Sequence, residues 1–313
     1  MAKLIGFRLL SMVPLLLVIS VLVFLLAHLI PGSVAVVLLG SGASPEAIKE
    51  LEHRFGLDQP LPVQYGTWIG NALRGDLGLS TRSQESVLSE LGNRIPATVS
   101  LLAGALLIAA LAGIAAGIAA SLRPGGPLDR LTTVGASAAL ALPSFWVGIL
   151  LSVYVGVRLG WLPAGGYVPI SEDPGGWAMS LVLPWIALGL PSAAVIARQT
   201  RSSMIVVMRS DFIRAAVACG VPPRTVILRH AVRNALVPVI PVIGFQLVVI
   251  LGASFVVESS FVIDGIGSMA IQAIFDRDIP LIQGTVLAVA VLVLVANLLA
   301  DVALGWVNPK VRS

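Results

Sequence analysis

The segment "IRAAVACGVPPRTVILRHAVRNALVP", residues 213 to 238, combines residue types suited to contact with another macromolecule. It concentrates arginine and histidine in a chain that is only 12% charged, and a Gly-Val-Pro-Pro sequence divides it into two parts. Arginine side chains of this kind bind lipid phosphates or acidic protein surfaces. The chain's single cysteine, Cys219, allows no internal disulfide and no cysteine cluster for a metal. We therefore expect a binding segment here and no metal site.

The first part of the segment predicts a short helix from Phe212 to Cys219. Asp211 is a suitable N-cap, and Gly220 suits the left-handed residue that ends a helix. One stripe of this helix has a single large side chain and three small ones, a shape that fits a groove. The stripe consists of Phe212, Ala215, Ala216 and Cys219.

The second part predicts another helix, which begins at Pro222 or Pro223 because a proline costs no hydrogen bond in a first helical turn. The expected apolar face is formed by Leu228, Ala231, Val232 and Ala235, and the expected polar face by Thr225, Arg229 and Arg233. Two interpretations remain open. An amphipathic helix held to anionic lipid explains the arginines, whereas a protein-docking element also explains the break at Gly220 and the small-residue stripe.

The composition places most of the chain in a membrane. Of its 313 residues, 57% are hydrophobic, well above the share in a soluble domain. Stretches long and apolar enough to cross a bilayer lie at 9–30, 98–122, 131–157, 179–197, 235–257 and 279–304. We treat the first as a retained span, since it is too long for a signal peptide and no cleavage site follows it. The sequence thus predicts an all-α membrane protein with six transmembrane helices.

The basic residues predict the orientation of these spans. With both termini in the cytoplasm, the cytoplasmic loops and terminal segments together hold 13 of the 20 lysine and arginine residues, as the positive-inside rule favours. The net charge of +4 therefore needs no nucleic-acid partner. We expect a multi-pass protein of the bacterial cell (inner) membrane, in contact with lipid.

Residues 31–97 are too polar to stay in lipid and predict a small extracytoplasmic domain, or else a simple connecting loop. Ser44 and Pro45 predict a helix start, Gly56 a helix end, and Ile48, Leu51 and Phe55 one apolar face. The stretch "QYGTWIGNALRGDLGLS" predicts a second short helix that ends in a Gly-Asp turn. We divide the chain into 1–30 (tail and helix 1), 31–97 (the extracytoplasmic domain) and 98–313 (helices 2–6, with the segment 210–234).

Prolines and a few polar residues mark where the spans could bend or line a path. We expect Pro143 to interrupt the third span, Pro184 and Pro191 to interrupt the fourth, and Pro238 and Pro241 to interrupt the start of the fifth. Candidates for the pathway or its gate are Pro143, Ser144, Gln246, Glu258 and Asp264. Charge is absent from the span centres, which disfavours a proton- or sodium-coupled carrier. The chain also lacks a Walker lysine motif, so we expect no ATP hydrolysis by this chain.

Several motifs resemble one family. "RAAVACG" (214–220) resembles the EAA-type motif of ABC importer permeases, although Arg214 stands where many members have glutamate. Nearly the whole chain resembles the B-type permease subunit of dipeptide and oligopeptide importers. The motifs are "HLIPGSVA", "FGLDQPLPVQY", "RGDLGLS", "RIPATVSLL", "ALPSFWVGILL", "DFIRAAVACG" and "VVESSFVIDGIG", and the last has Asp264 where relatives more often have proline.

This resemblance implies a function and a set of partners. The chain would be a non-catalytic permease subunit in the type I ABC importer arrangement. A second permease, two cytosolic ATPases that bind ATP and magnesium, and an extracytoplasmic substrate-binding protein would complete the importer. The coupling residues would be Phe212, Arg214, Ala215, Ala216, Cys219, Gly220, Val221 and Arg224. The loop that faces the binding protein would include Gly75, Asp76, Leu77 and Gly78.

Three alternatives remain at this point. A related permease could carry nickel or another small ligand, although no histidine or cysteine cluster lines the spans. A secondary transporter would need ionisable groups at mid-membrane. A non-transporting membrane scaffold would not need spans that contain prolines beside a basic docking segment.

Overall fold

The structure is a computed structural model that describes residues 2–29, 43–54 and 58–307. Within these residues the regular secondary structure is helical, and the only β pairing is a single bridge between Leu79 and Ser86. Before the basic segment lie α1 (Ala2–His28), α2 (Pro45–Arg54), α3 (Leu61–Ala72), α4 (Val87–Ser121), α5 (Pro127–Ala141), α6 (Ser144–Leu151) and α7 (Pro174–Met208). From it onward lie α8 (Asp211–Ala218), α9 (residues 223–235, in three pieces), α10 (Val239–Ser260), α11 (Ile266–Asp276) and α12 (Ile279–Val307).

The helices confirm the six predicted spans. Among the described residues, five helices are long and apolar enough to cross a membrane, and a bent pair gives the sixth span if it counts as one. The five are the helical stretches Arg8–His28, Val87–Ser121, Pro174–Met208, Val239–Ser260 and Ile279–Ala303. Two of these helices, Val87–Ser121 and Pro174–Met208, extend well beyond the predicted apolar stretches 98–122 and 179–197.

The third span bends sharply at the predicted proline. Helix α5 and the helix that begins at Ser144 meet at an angle of 97°. Leu142 has the extended backbone (φ −95°, ψ 127°) that a residue before a proline favours, and Pro143 is the N-cap of α6. A π-helical stretch, Ser152–Arg158, continues α6. The prediction that Pro143 interrupts this span is confirmed.

The prolines of the fourth span act differently from the prediction. Helix α7 is continuous from Pro174 to Met208 and contains both Pro184 and Pro191 in its interior. The prediction that they interrupt the span is therefore wrong. A large part of this helix is buried, so packing of its neighbours can offset the two missing backbone donors. Pro238, by contrast, is the N-cap of α10, as the sequence indicates.

The chain forms two compact units. The first comprises Met1–Gly6, Ala97–Asp264 and Val295–Ser313, and the second comprises Phe7–Pro96 and Gly265–Leu294. In the second unit, buried Val87 and Leu91 pack with Met269, Ala273 and Leu281. The predicted extracytoplasmic domain, 31–97, stays a prediction.

Small residues allow close helix packing within the first unit. A Cβ atom added to Gly113 would lie 2.7 Å from the backbone oxygen of Ala193, and one added to Gly117 would lie 2.6 Å from that of Ala197. Helices α4 and α7 therefore approach at a distance that only glycine permits at these positions. The sequence indicated that the Gly- and Ala-rich spans are packed against other helices, and for this pair that is confirmed.

Helix α2 begins as predicted, whereas α3 begins at Leu61, three residues before the predicted stretch that starts at Gln64. Ser44 accepts a hydrogen bond from the backbone N–H of Ala47 (3.2 Å) at the start of α2. Helix α3 ends before a turn in which Gly75 has a φ of +86°. The predicted apolar face of α2 and its end at Gly56 lie outside the described side chains and residues.

Candidate coupling segment and buried polar contacts

Helix α8 has a defined start and end. Ser210 is its N-cap residue, but the Ser210 hydroxyl donates back to the carbonyl of Val207 (2.5 Å) and makes no capping bond. Asp211 is the first helical residue and pairs with Arg214. The prediction that Asp211 caps this helix is wrong, because the helix begins at Asp211 and not at Phe212. The Asp211 carboxylate lies instead in the first turn, where a negative charge interacts favourably with the helix dipole.

The end of α8 agrees with the sequence. Gly220 has a φ of +78°, its N–H donates to Val217, and the next N–H, of Val221, donates to Ala216. These two hydrogen bonds form a Schellman motif, in which glycine is favoured because the left-handed conformation crowds a Cβ atom. The break in the basic segment is thus a built helix end.

A residue missed by the sequence analysis anchors α8. Ile213 is 2% exposed and packs in a cluster with Met204, Val226, Ala231 and Ala235. Its signal was present, since Ile213 and Ala216 are three residues apart and both face this cluster. The anchored face is therefore next to the predicted stripe, and Ala216 lies at the boundary of both.

The predicted docking stripe is largely exposed in this chain. Phe212 is 47% exposed, and Ala215, Cys219 and Gly220 are also exposed. Arg214 and Arg224 lie in solvent-accessible positions, and Val221 packs partly against the anchoring cluster. The structure thus brings the predicted coupling residues together on one short segment. Their role in coupling stays a prediction.

Helix α9 differs from the predicted pattern. It begins at Pro223, as expected, but residues Val226–Ala231 are π-helical between the α-helical pieces Pro223–Thr225 and Val232–Ala235. A π-helical turn holds more residues than an α-helical one, so the buried side becomes Val226, Ala231 and Ala235. Leu228, predicted on the apolar face, is 67% exposed. The expected polar residues Arg229 and Arg233 are exposed as predicted.

The candidate pathway residues occupy different environments. Gln246 is buried within α10, Ser144 is partly buried at the start of α6, and Asp264 is exposed. Glu258 is fully buried near the end of α10, where it accepts a hydrogen bond from the hydroxyl of Thr98 on α4 (2.8 Å). These residues differ in burial, and the pathway they would line stays a prediction.

Close contacts surround Phe261, the C-cap residue that follows α10. Phe261 is fully buried, and its backbone oxygen accepts from the N–H of Gly166 (2.7 Å). A Cβ atom on Gly165 would lie 2.6 Å from that same oxygen, and one on Gly148 would lie 2.9 Å from the Phe261 ring. Glu258 therefore lies near a closely packed end of α10.

The loop that follows α3 is held by Asp278, a buried aspartate that was not among the predicted site residues. Asp76 accepts from the N–H of Gly78 (2.9 Å), Leu77 packs against the core of the second unit, and Gly75 is exposed. Ser80 then donates to Asp278 (2.5 Å), and both are buried. The signal for Asp278 was the start of a helix, since it precedes Ile279 and Pro280.

A second missed pair joins α5 to α7. Asp129, almost fully buried, accepts two hydrogen bonds from Arg201 and one from the N–H of Gly125 (2.7 Å). Such a two-point pair of guanidinium and carboxylate fixes both position and orientation. Among the described residues, no group of three or more His, Cys, Asp or Glu side chains could hold a metal ion.

Comparison with known proteins gives the family. Residues 109–313 match the family of binding-protein-dependent transport system inner membrane components, and residues 1–102 match the N-terminal part of such membrane components. The chain belongs to this family. It is thus a multi-pass inner membrane component and a permease subunit of an ABC importer.

Individual relatives match nearly the whole length of this chain. A putative peptide transport system permease protein of Brucella abortus is 39% identical over 312 residues, 100% of this chain and 99% of the relative. A dipeptide transport system permease protein of Alkalihalophilus pseudofirmus is 36% identical over 325 residues, 97% of this chain and 98% of its own length. A glutathione transport system permease protein of Escherichia coli is 38% identical over 305 residues, 97% of each chain.

Proposed function

We propose that this permease carries di- or oligopeptides and forms half of the translocation pathway of an ATP-driven importer. The observation that supports the cargo is the similarity, over 97% to 100% of this chain, to proteins named for peptide, dipeptide and glutathione transport. Glutathione is itself a short peptide, so these names share one substrate class. The chain has no ATP-binding motif, so the nucleotide and its magnesium would be bound by partner ATPases.

The docking site for an ATPase subunit would be α8. Its exposed stripe, led by Phe212 and Ala215, has the one large and several small side chains that suit a groove. Ile213 anchors the adjacent face, so a displacement of α8 would be transmitted to the cluster that includes Met204 of α7. Rigid packing of this kind transmits movement because a packed core is poorly compressible.

The other partners follow from the predicted orientation. Both termini would be cytoplasmic, as the basic loops favour. Residues 31–97 would then lie outside, where the exposed turn of Gly75 and Asp76 is available to a substrate-binding protein. A homologous second permease would complete the pathway, with Pro143, Gln246 and Glu258 among the residues at its wall or gate.

Reconstitution tests this proposal. The permease, its second subunit, the two ATPases and the binding protein are assembled in liposomes, and ATP hydrolysis and uptake are measured with a dipeptide, a longer peptide and a nickel chelate. We expect peptides to stimulate both activities. Stimulation by the nickel chelate alone would overturn the peptide assignment, and uptake without ATP would overturn the importer assignment.

A further inference from the structure

Helix α3 packs along the C-terminal half of the first span. The hydroxyl groups of Tyr65 and Ser20 are hydrogen-bonded (2.8 Å), and the side-chain oxygen of Gln64 contacts the His28 ring (3.1 Å). The Phe24 ring lies 5.5 Å from that of Tyr65 and 5.9 Å from that of Trp68. Helix α3 thus contacts α1 at three successive levels.

These contacts define the depth of α3 relative to the span. Ser20 precedes His28 by eight residues, so it lies about 12 Å deeper along the helix axis at 1.5 Å per residue. Both residues belong to the apolar stretch Arg8–His28, whose length of 21 residues matches a bilayer core. A tyrosine side chain is shorter than the rise of about 12 Å between Ser20 and His28. Because the Tyr65 hydroxyl reaches Ser20, the Tyr65 backbone lies deeper in the bilayer than His28.

The composition of α3 suits this depth. Residues 60–73 contain no charged side chain, although residues on both sides of them are charged. The polar side chains of its first turns are bonded within the protein: Thr67 donates to the carbonyl of Val63 (3.1 Å), and Gln64 donates to that of Gln59 (2.7 Å). Because lipid offers no hydrogen bonds, satisfied polar groups are what an embedded helix requires.

One face of α3 has no protein neighbour among the described residues, 2–29, 43–54 and 58–307. Val63 is 49% exposed, and a Cβ atom added to Gly66 or Gly70 would meet nothing within 4 Å. These positions share a face because they are three, four and seven residues apart. The neighbouring span α1 also has exposed apolar side chains: Leu22 and Leu26, which precede and follow Phe24 in sequence, are both exposed.

We propose that α3 is an interfacial helix that inserts into the leaflet around the C-terminal half of α1, with its open face against lipid acyl chains. The Tyr65 hydroxyl then lies within the hydrocarbon region, where its hydrogen bond with Ser20 satisfies it. The occupant is lipid because the face continues the apolar surface of a membrane span. This inference goes beyond peptide transport and revises the expectation that all of residues 31–97 lies in water.

Spin labels test the depth of α3. In the assembled importer in liposomes, with Cys219→Ser used only to remove the native thiol, labels are placed at Val63→Cys and Gly66→Cys. Leu26→Cys in α1 is the lipid-exposed control, and Lys49→Cys in α2 is the water-exposed control. We expect the labels at Val63 and Gly66 to behave like the label at Leu26. Each should collide several-fold more often with oxygen than with a water-soluble nickel chelate.

Two results would overturn the proposal. Labels at Val63 and Gly66 that resemble Lys49 would place α3 in water, and labels reached by neither reagent would mean that a protein surface, such as a second permease, covers this face. A membrane-impermeant maleimide provides an independent measurement on the unlabelled cysteines. It should react with Lys49→Cys and leave Val63→Cys unmodified, and equal reaction at both would also contradict insertion.

Discussion

Ser80 donates a hydrogen bond to Asp278 across 198 residues of sequence, with 2.5 Å between the two oxygens and both side chains buried. The other oxygen of Asp278 accepts from the backbone N–H of Leu281 (3.2 Å), so the same carboxylate also caps α12. Arg82 reinforces the connection through its ion pair with Asp276. One aspartate therefore holds both the loop after Gly78 and the start of the last span.

Replacing this aspartate should destabilise the permease. We expect Asp278→Ala to cost about 1–3 kcal/mol, because it leaves the buried Ser80 hydroxyl without its acceptor and removes a helix cap. Asp278→Asn should cost less, since asparagine is also a good N-cap. The measurement is the unfolding midpoint in detergent, with Glu85→Ala as the control because Glu85 is an exposed carboxylate of the same loop. Equal midpoints for Asp278→Ala and Glu85→Ala would contradict the double role of Asp278.

The sequence predicted the spans well because their length and apolar composition are set by the bilayer and need no tertiary information. It also predicted the bend at Pro143 and the helix end at Gly220, since proline and glycine act through the local backbone. It failed where local structure depends on a shift of register. The π-helical stretch in α9 moved Leu228 out of the apolar face, and no residue pattern marks such a stretch in advance.

Buried polar pairs could not be predicted for a different reason. Ser80 and Asp278, or Asp129 and Arg201, are brought together only by tertiary packing. Each residue alone is typical of a loop or a helix end, so the sequence offers no signal for the pair. The helix that carries most of the predicted coupling residues was predicted more completely, because its residues are contiguous in sequence and its end depends on the local backbone at Gly220. The coupling role of these residues stays a prediction.

Helix packing at Gly117 should not tolerate a larger residue. Gly117→Ala would place a Cβ atom 2.6 Å from the backbone oxygen of Ala197, so α4 and α7 must separate, and we expect a loss of about 1–3 kcal/mol. Gly135→Ala is the matched control, because a Cβ atom there meets nothing within 4 Å and alanine favours a helix. Thermal unfolding of both variants measures the effect. A variant at Gly117 as stable as that at Gly135 would show that the helices are not closely packed.

The two sides of α8 should respond differently to substitution. Ile213→Ala removes a buried side chain and should destabilise the protein by about 2–4 kcal/mol. Ala215→Trp adds bulk on the exposed side and should leave the unfolding midpoint unchanged, while it abolishes peptide-stimulated ATP hydrolysis by the assembled importer. Val217→Trp, also exposed on α8 but outside the stripe, is the control and should retain activity. Full stimulation with Ala215→Trp would exclude this stripe as the docking surface.

Arginine should be required at position 201 for its geometry as well as its charge. Its guanidinium gives Asp129 two hydrogen bonds, whereas the ammonium of lysine acts as a single point charge. We expect Arg201→Lys to cost about 1–2 kcal/mol, less than the loss of a fully buried pair because Arg201 is partly exposed. Arg130→Lys, at an exposed position next to Asp129, should change the unfolding midpoint little. If Arg201→Lys behaves like Arg130→Lys, charge alone holds α5 to α7 and the two-point contact adds nothing.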